Sequence, residues 1–147
     1  MTSEAICVGP LTLHAQLRNG MLCALDLPVE VPAELDADTL GAALARLAEF
    51  TLNFDGAPPF HRAVWEAMRA IPCGSALTYQ EVAELAGSPR AVRAVGQACG
   101  ANPLPLIVPC HRVLAGSGIG GFRLGLAWKL KLLELETELA LRGPGNS

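Results

Sequence analysis

Pro109-Cys110-His111-Arg112 sets a thiol, an imidazole and a guanidinium on consecutive residues. A cysteine is a nucleophile only as its thiolate, and a nearby imidazole or cation favours that form. Adjacent side chains in an extended chain point apart, so Cys110 and His111 can cooperate only across a bend or through a bridging water. An isolated Cys-His pair more often marks a buried structural cysteine. The dipeptide alone therefore does not decide between packing and catalysis. Cys7, His14 and Cys23 have the residue types of a zinc site, but their spacing fits no recognised zinc pattern and no fourth ligand is evident. Cys73 and Cys99 read as small buried hydrophobes.

The elements that must position these groups can be read from the pattern. Leu11, Leu13, Ala15 and Leu17 alternate with polar residues, and Asn19-Gly20 then precedes Met21 to Leu27. Asn-Gly between two such runs predicts a β-hairpin. Asp36 and Asp38 lead into Thr39–Phe50, which has helical spacing and an acidic start. Asp55-Gly56-Ala57-Pro58-Pro59 is turn punctuation and marks the expected boundary between two domains, 1–58 and 59–147. Beyond it, Phe60, Val64, Trp65 and Met68 share one face of a helix running to Ile71, which Pro72-Cys73-Gly74 ends. Thr78 and Glu81 form a capping-box pattern for a helix that closes at Gly87. Ser88-Pro89 reads as the start of another helix reaching Gly100. These two helices make a helix-turn-helix candidate. Leu104–Val108 reads as a short buried strand or extended segment, Gly116–Gly121 as a glycine-rich loop, Ala127–Leu141 as a strongly amphipathic helix, and Gly143–Ser147 as a frayed tail. The expected fold is α+β: a small N-terminal β-hairpin and helix, then a mainly helical, winged-helix-like part.

At 147 residues the chain can bury a real core, and 51% hydrophobic against 17% charged residues excludes a disordered protein. The apolar stretches are too short to span a bilayer, and Met-Thr-Ser-Glu begins no signal-peptide pattern. Five cysteines with no CxxC pair read as reduced thiols in a cytoplasm. The net charge of −3 conceals a segregation: residues 1–59 carry −6, whereas residues 60–133 hold eight basic and three acidic residues, a net +5. A phosphate backbone responds to that local charge.

Asn102-Pro-Leu-Pro-Leu-Ile-Val-Pro-Cys110-His-Arg-Val113 resembles the active-site signature of the O6-alkylguanine-DNA alkyltransferases. The resemblance extends from Pro59 to about Glu136. It takes in Phe60, Trp65, Ile71-Pro-Cys-Gly74, Thr78-Tyr79-Gln80, Pro89-Arg-Ala-Val-Arg93-Ala-Val-Gly96 and Leu132-Leu-Glu-Leu-Glu136, in the family's order. It implies a relay of Cys110, His111 and Glu136 that activates the thiol through water. It also implies that Asn102 is a hinge between the active-site segment and the recognition helix. Arg93 matches the arginine that enters the base stack, and Tyr79 the tyrosine that crowds the target phosphate and donates to the guanine ring. Arg90, Ala91, Ala94 and Gly96 belong to the same DNA-facing helix. Its small residues fit a minor groove about 6 Å wide, although they equally suit close packing on another helix. Cys110, Val113, Phe122 and Arg123 correspond to the guanine pocket, with Pro105 as a wall. Phe122-Arg123-Leu124-Gly125 is bulkier than the tyrosine-small-Gly-Gly of many members, so Leu124 is expected to narrow the pocket.

The implied activity is a single, stoichiometric transfer of an alkyl group from O6 of guanine in double-stranded DNA to Cys110, on a base swung out of the helix. No metal, nucleotide or other cofactor is implied, the protein is expected to act as a cytoplasmic monomer, and no membrane partner is expected. Three other readings compete with it: a non-catalytic alkyltransferase-like protein that binds the lesion, a cysteine hydrolase built on Cys110, His111 and Glu136, and a helix-turn-helix regulator.

Overall fold

The computed structural model describes residues 1–142; the tail expected over 143–147 lies outside them. Three antiparallel strands, β1 (Thr2–Val8), β2 (Leu11–Arg18) and β3 (Met21–Asp26), form a sheet in that order. Leu11, Leu13, Ala15 and Leu17 point into the core, as their alternation predicts. Asn19 and Gly20 both take positive φ, 54° and 77°, the backbone that a two-residue hairpin matched to strand twist requires. β1 pairs along the far side of β2 and was not singled out from sequence.

Asp36 accepts a hydrogen bond from the Thr39 amide at 2.8 Å. As the cap, it starts α1 (Ala37–Leu47) two residues before Thr39, and Phe50 lies beyond the helix end. Residues 51–53 then return along β3: the Leu22 amide donates to Thr51 O at 2.8 Å and the Asn53 amide to Leu22 O at 2.9 Å.

α2 (Pro59–Arg69) buries Val64, Trp65 and Met68. Thr78 and Glu81 make the reciprocal capping box at the start of α3 (Tyr79–Leu85), with bonds of 2.9 and 3.1 Å. The next helix, α4 (Val92–Gly100), begins four residues after Ser88 and has no side-chain cap. Ser88 is occupied otherwise: its amide donates to Ala83 O at 2.9 Å, closing the end of α3 around Gly87 at φ +83°. Ser88 O then takes the Ala91 amide in a turn. Trp65 Nε1 donates to Ala98 O at 2.9 Å and fixes α2 against α4.

Leu104–Val108 is no strand. The Val108 amide closes a turn onto Leu104 O at 2.9 Å, and Leu106 takes φ +75°. The segment is largely buried with no strand beside it, so its polar groups must be satisfied internally. Asn102 completes this, accepting from the Leu104 amide and donating to Val108 O. A 3-10 turn, Cys110–Arg112, follows. Two short parallel strands, β4 (Leu77–Thr78) and β5 (Val113–Leu114), then join the start of α3 to the residues just past that turn.

α5 (Leu126–Leu141) is not cleanly amphipathic: Lys129 and Glu136 sit on its buried side, while Leu126, Leu130 and Leu141 are exposed. Gly74 allows α5 to approach. It has φ +86°, and a Cβ there would stand 2.5 Å from Ala140 Cβ. Two bonds of 2.9 Å, Trp128 Nε1 to Pro28 O and the Leu25 amide to Pro103 O, tie the N-terminal sheet to the rest. Among the described residues no helix is long and apolar enough to cross a membrane.

Candidate active site

Cys110 lies at the first position of the 3-10 turn, almost wholly buried. Its Sγ accepts a hydrogen bond from Asn102 Nδ2 at 3.2 Å. Asn102 therefore links three things by one amide: the end of α4, the turn before the cysteine, and the sulfur itself. Burial pushes the thiol pKa up, and the Asn102 bond together with the charges of Arg123 and Lys129 works against that. The sulfur faces a cavity of about 220 Å³, lined also by Tyr79 at the start of α3, Gly96 and Cys99 of α4, and Phe122 and Arg123 of the glycine-rich loop. A Cβ at Gly96 would meet nothing within 4 Å, so the α4 side of the cavity is open space.

Behind the cysteine is a buried charge cluster. His111 Nε2 stands 2.9 Å from Glu136 Oε2, but off the line of an ideal ring N–H bond, so this is a close polar contact rather than an aligned hydrogen bond. Arg112 grips the same carboxylate with two bonds, Nε to Oε1 at 2.8 Å and Nη2 to Oε2 at 2.6 Å, and spends Nη1 on Ile71 O at 2.7 Å. Burial would raise the Glu136 carboxyl, yet the hydrogen bonds from Arg112, the close polar contact of His111 and the charges of both bring it down to about 2. Burial dominates at His111 and lowers its pKa, so the imidazole is neutral at pH 7. The 3-10 turn supplies the bend that neighbouring Cys and His require, although no direct hydrogen bond joins them among the described residues.

These shifts fix the sign of the pH dependence. Both groups hold fewer protons folded than unfolded, so acid favours the unfolded chain. His111 begins to subtract stability as pH falls below its ordinary 6.5. Glu136 adds to the loss between its ordinary 4.5 and about 2. Urea midpoints measured from pH 8 down to pH 3 are expected to fall monotonically. A midpoint that held level to pH 4 would contradict the buried neutral imidazole.

The structure brings Cys110, His111, Glu136, Asn102 and Tyr79 to one place, with Gly96, Phe122 and Arg123 on the cavity wall. Pro105 and Val113, expected in the guanine pocket, are buried and are not among the residues that line the cavity. Leu124 does not line it either. Arg90 and Arg93 are exposed and Ala91 and Ala94 half-buried, all at or just before the first turns of α4.

Sequence reasoning named Arg112 in the motif but not its buried grip on Glu136, and it missed Lys129. Lys129 is fully buried and donates to Val113 O at 2.7 Å and Gly121 O at 2.9 Å. It stands seven residues before Glu136, two helical turns along one face, and that spacing was a usable signal. With Arg112 and Lys129 interior, the +5 of residues 60–133 overstates the surface charge. Cys7 and Cys23 bond locally, Cys7 taking the Thr12 hydroxyl and Cys23 donating to Gln16 O. Among the described residues no three metal-ligating His, Cys, Asp or Glu side chains gather.

Residues 59–138 match the family described as 6-O-methylguanine DNA methyltransferase, DNA binding domain. The chain belongs to the O6-methylguanine-DNA methyltransferase family. It is 50% identical over 130 residues to the bifunctional transcriptional activator/DNA repair enzyme Ada of Escherichia coli, covering 86% of this chain and 37% of that protein. It is 44% identical over 114 residues to the methylated-DNA–protein-cysteine methyltransferase of Mycobacterium leprae, covering 76% of this chain and 67% of that one. Mycobacterium tuberculosis OGT, solved in complex with DNA, superposes with a TM-score of 0.73 at 33% identity, over 92% of this chain and 93% of that one. The chain spans about half or less of the length of several curated relatives it matches. The methyltransferase fold thus covers the N-terminal sheet as well as the helices that hold Cys110.

Proposed function

We propose that this protein repairs DNA by direct reversal, taking an alkyl group from O6 of guanine onto Cys110. The observation that carries the reading is Cys110 on the wall of a cavity shared with Tyr79, with residues of α4 and with the glycine-rich loop, next in the chain to His111 and Arg112, which contact buried Glu136. The match to a DNA-binding family domain and the likeness to a relative solved with DNA support DNA as the partner.

The thiol proton leaves Cys110 through water toward neutral His111, whose imidazolium Glu136 stabilises. The sulfur lone pair attacks the alkyl carbon in line with the C–O6 bond. A new S–C bond forms, and the C–O6 electrons pass into the guanine ring. Tyr79, at the cavity wall, donates a proton to the ring, and the proton held by His111 restores the tyrosine through solvent. In sum, one alkyl group moves to sulfur and one proton to guanine. A thioether offers water no carbonyl to attack, and a thiolate is a poor leaving group from it. Each molecule therefore acts once.

The guanine must leave the stack to reach the sulfur. Arg93 is exposed on the first turn of α4, where it can fill the gap and offset an unstacking cost of about a few kcal/mol. Mixing the protein with a duplex carrying O6-methylguanine is expected to add one methyl group to the Cys110 peptide by mass spectrometry, at no more than one per chain. Lesion binding with no mass gain would transfer the protein to the non-catalytic lesion-binding class.

Arg93→Ala is expected to slow reaction with the duplex by one to two orders of magnitude, on the order of the few kcal/mol of unstacking. Its rate with free O6-methylguanine base stays near wild type. Equal losses on both substrates would remove Arg93 from the extrusion step.

A further inference from the structure

The charged residue that lines the cavity at Cys110 is a cation, Arg123, and a second cation, Lys129, reaches the main chain of the cavity wall at Gly121 from behind. Arg123, on its wall, donates Nη2 to Asn102 O at 2.9 Å. Lys129, under the glycine-rich loop, gives its two bonds to the carbonyls of Val113 and Gly121. Among the described residues neither cation makes an ion pair. A buried ammonium without a counter-charge is costly, and carbonyl dipoles offset only part of that. The charged and titratable groups of this site are Tyr79 from α3, Cys99 from α4 and Arg123 on the cavity wall, His111 and Arg112 on the turn of Cys110, and Lys129 and Glu136 from α5, which contact that turn or the residue after it. Glu136, the carboxylate of this set, is already held by Arg112 and His111.

We propose that Arg123 and Lys129 are the counter-ions of the Cys110 thiolate, tethered to main-chain carbonyls so that the charge of the cavity closes only when the sulfur is ionised. This rests on Cys110 being the alkyl acceptor, and it gives the two cations a positioning and electrostatic role. Arg123 also latches the glycine-rich loop to Asn102, whose amide touches the sulfur. The same guanidinium thereby fixes the cavity wall and favours the anion. Tyr79 and Cys99 are neutral at pH 7, since burial raises both, and neither competes for the cations.

The test reads Cys110 with iodoacetamide, following carbamidomethylation of its peptide by mass spectrometry across pH. This needs no DNA, so its outcome is separate from that of the repair assay. Arg123→Gln and Lys129→Met are each expected to move the midpoint of the rate–pH curve upward by about one pH unit, a thiolate fraction about tenfold lower and a rate about three- to fourfold lower at neutral pH. The plateau rate at high pH does not fall, because a thiolate of higher pKa is the stronger nucleophile, and Arg123→Lys restores the wild-type midpoint. High salt shrinks the Arg123 effect, because that side chain reaches solvent. If Lys129→Met does not fold, the Arg123 pair decides the matter. A folded Arg123→Gln protein with an unmoved midpoint, or one that loses plateau rate at the same midpoint, would overturn the proposal and leave Arg123 as a structural tether.

Discussion

Cys110→Ala is expected to abolish alkyl transfer completely while O6-methylguanine duplex binding stays within a few-fold of wild type. The sulfur is the only atom proposed to form a bond to substrate, so its removal leaves no slower route through the same site. The proposed binding surface is different: exposed Arg90 and Arg93 with half-buried Ala91 and Ala94 at the start of α4, none of which lines the cavity at Cys110. Alanine also leaves the buried turn intact, because the main-chain bond from the Cys110 amide to Val108 O does not depend on the side chain. Methyl incorporation by intact mass and duplex binding by fluorescence anisotropy check the two halves. Methyl gain in the alanine variant would end the assignment of the acceptor.

Arg112→Met carries the largest expected loss of stability. Glu136 is fully buried, and Arg112 supplies two of its three close polar contacts. Removing the guanidinium strands a carboxylate beside a neutral imidazole. Breaking a buried pair from one side costs about 3–5 kcal/mol, a large share of a typical total of about 5–15 kcal/mol. The free Ile71 carbonyl adds to the loss. Glu136→Gln in the same background is expected to recover part of it, since the stranded charge is then gone. Urea unfolding of the wild type, both single variants and the double variant gives the coupling. A loss under about 1 kcal/mol for Arg112→Met would mean that the pair behaves as a solvated surface contact.

Local chemistry explains where sequence reading succeeded. Asn19-Gly20, the Thr78–Glu81 box and the Gly87 stop depend on a few adjacent residues, and each was legible and is present. Ser88-Pro89 misled because a Ser-Pro pair fits either a helix start or the closing turn of the helix before it. A long-range fit settles which, here the α3–α4 turn held by Gln80 Nε2 on Pro89 O at 2.8 Å. Leu104–Val108 misled for a related reason. An apolar run signals burial but not conformation, and Asn102 supplies the bonds that let this one coil without a strand beside it.

By itself the sequence determined the family signature, which carries the proposed acceptor cysteine and its imidazole neighbour, the hairpin and the α3 start, because these are set by residue identity and near neighbours. The tertiary structure alone decided that Arg112 and Lys129 belong inside, that Glu136 is shared between two partners, and that Pro105 and Val113 stand off the cavity wall. Those outcomes depend on how α5 packs against the turn at Cys110. Whether a charged side chain is buried is settled by the partners that packing brings within about 3 Å, which one strand of sequence does not encode locally.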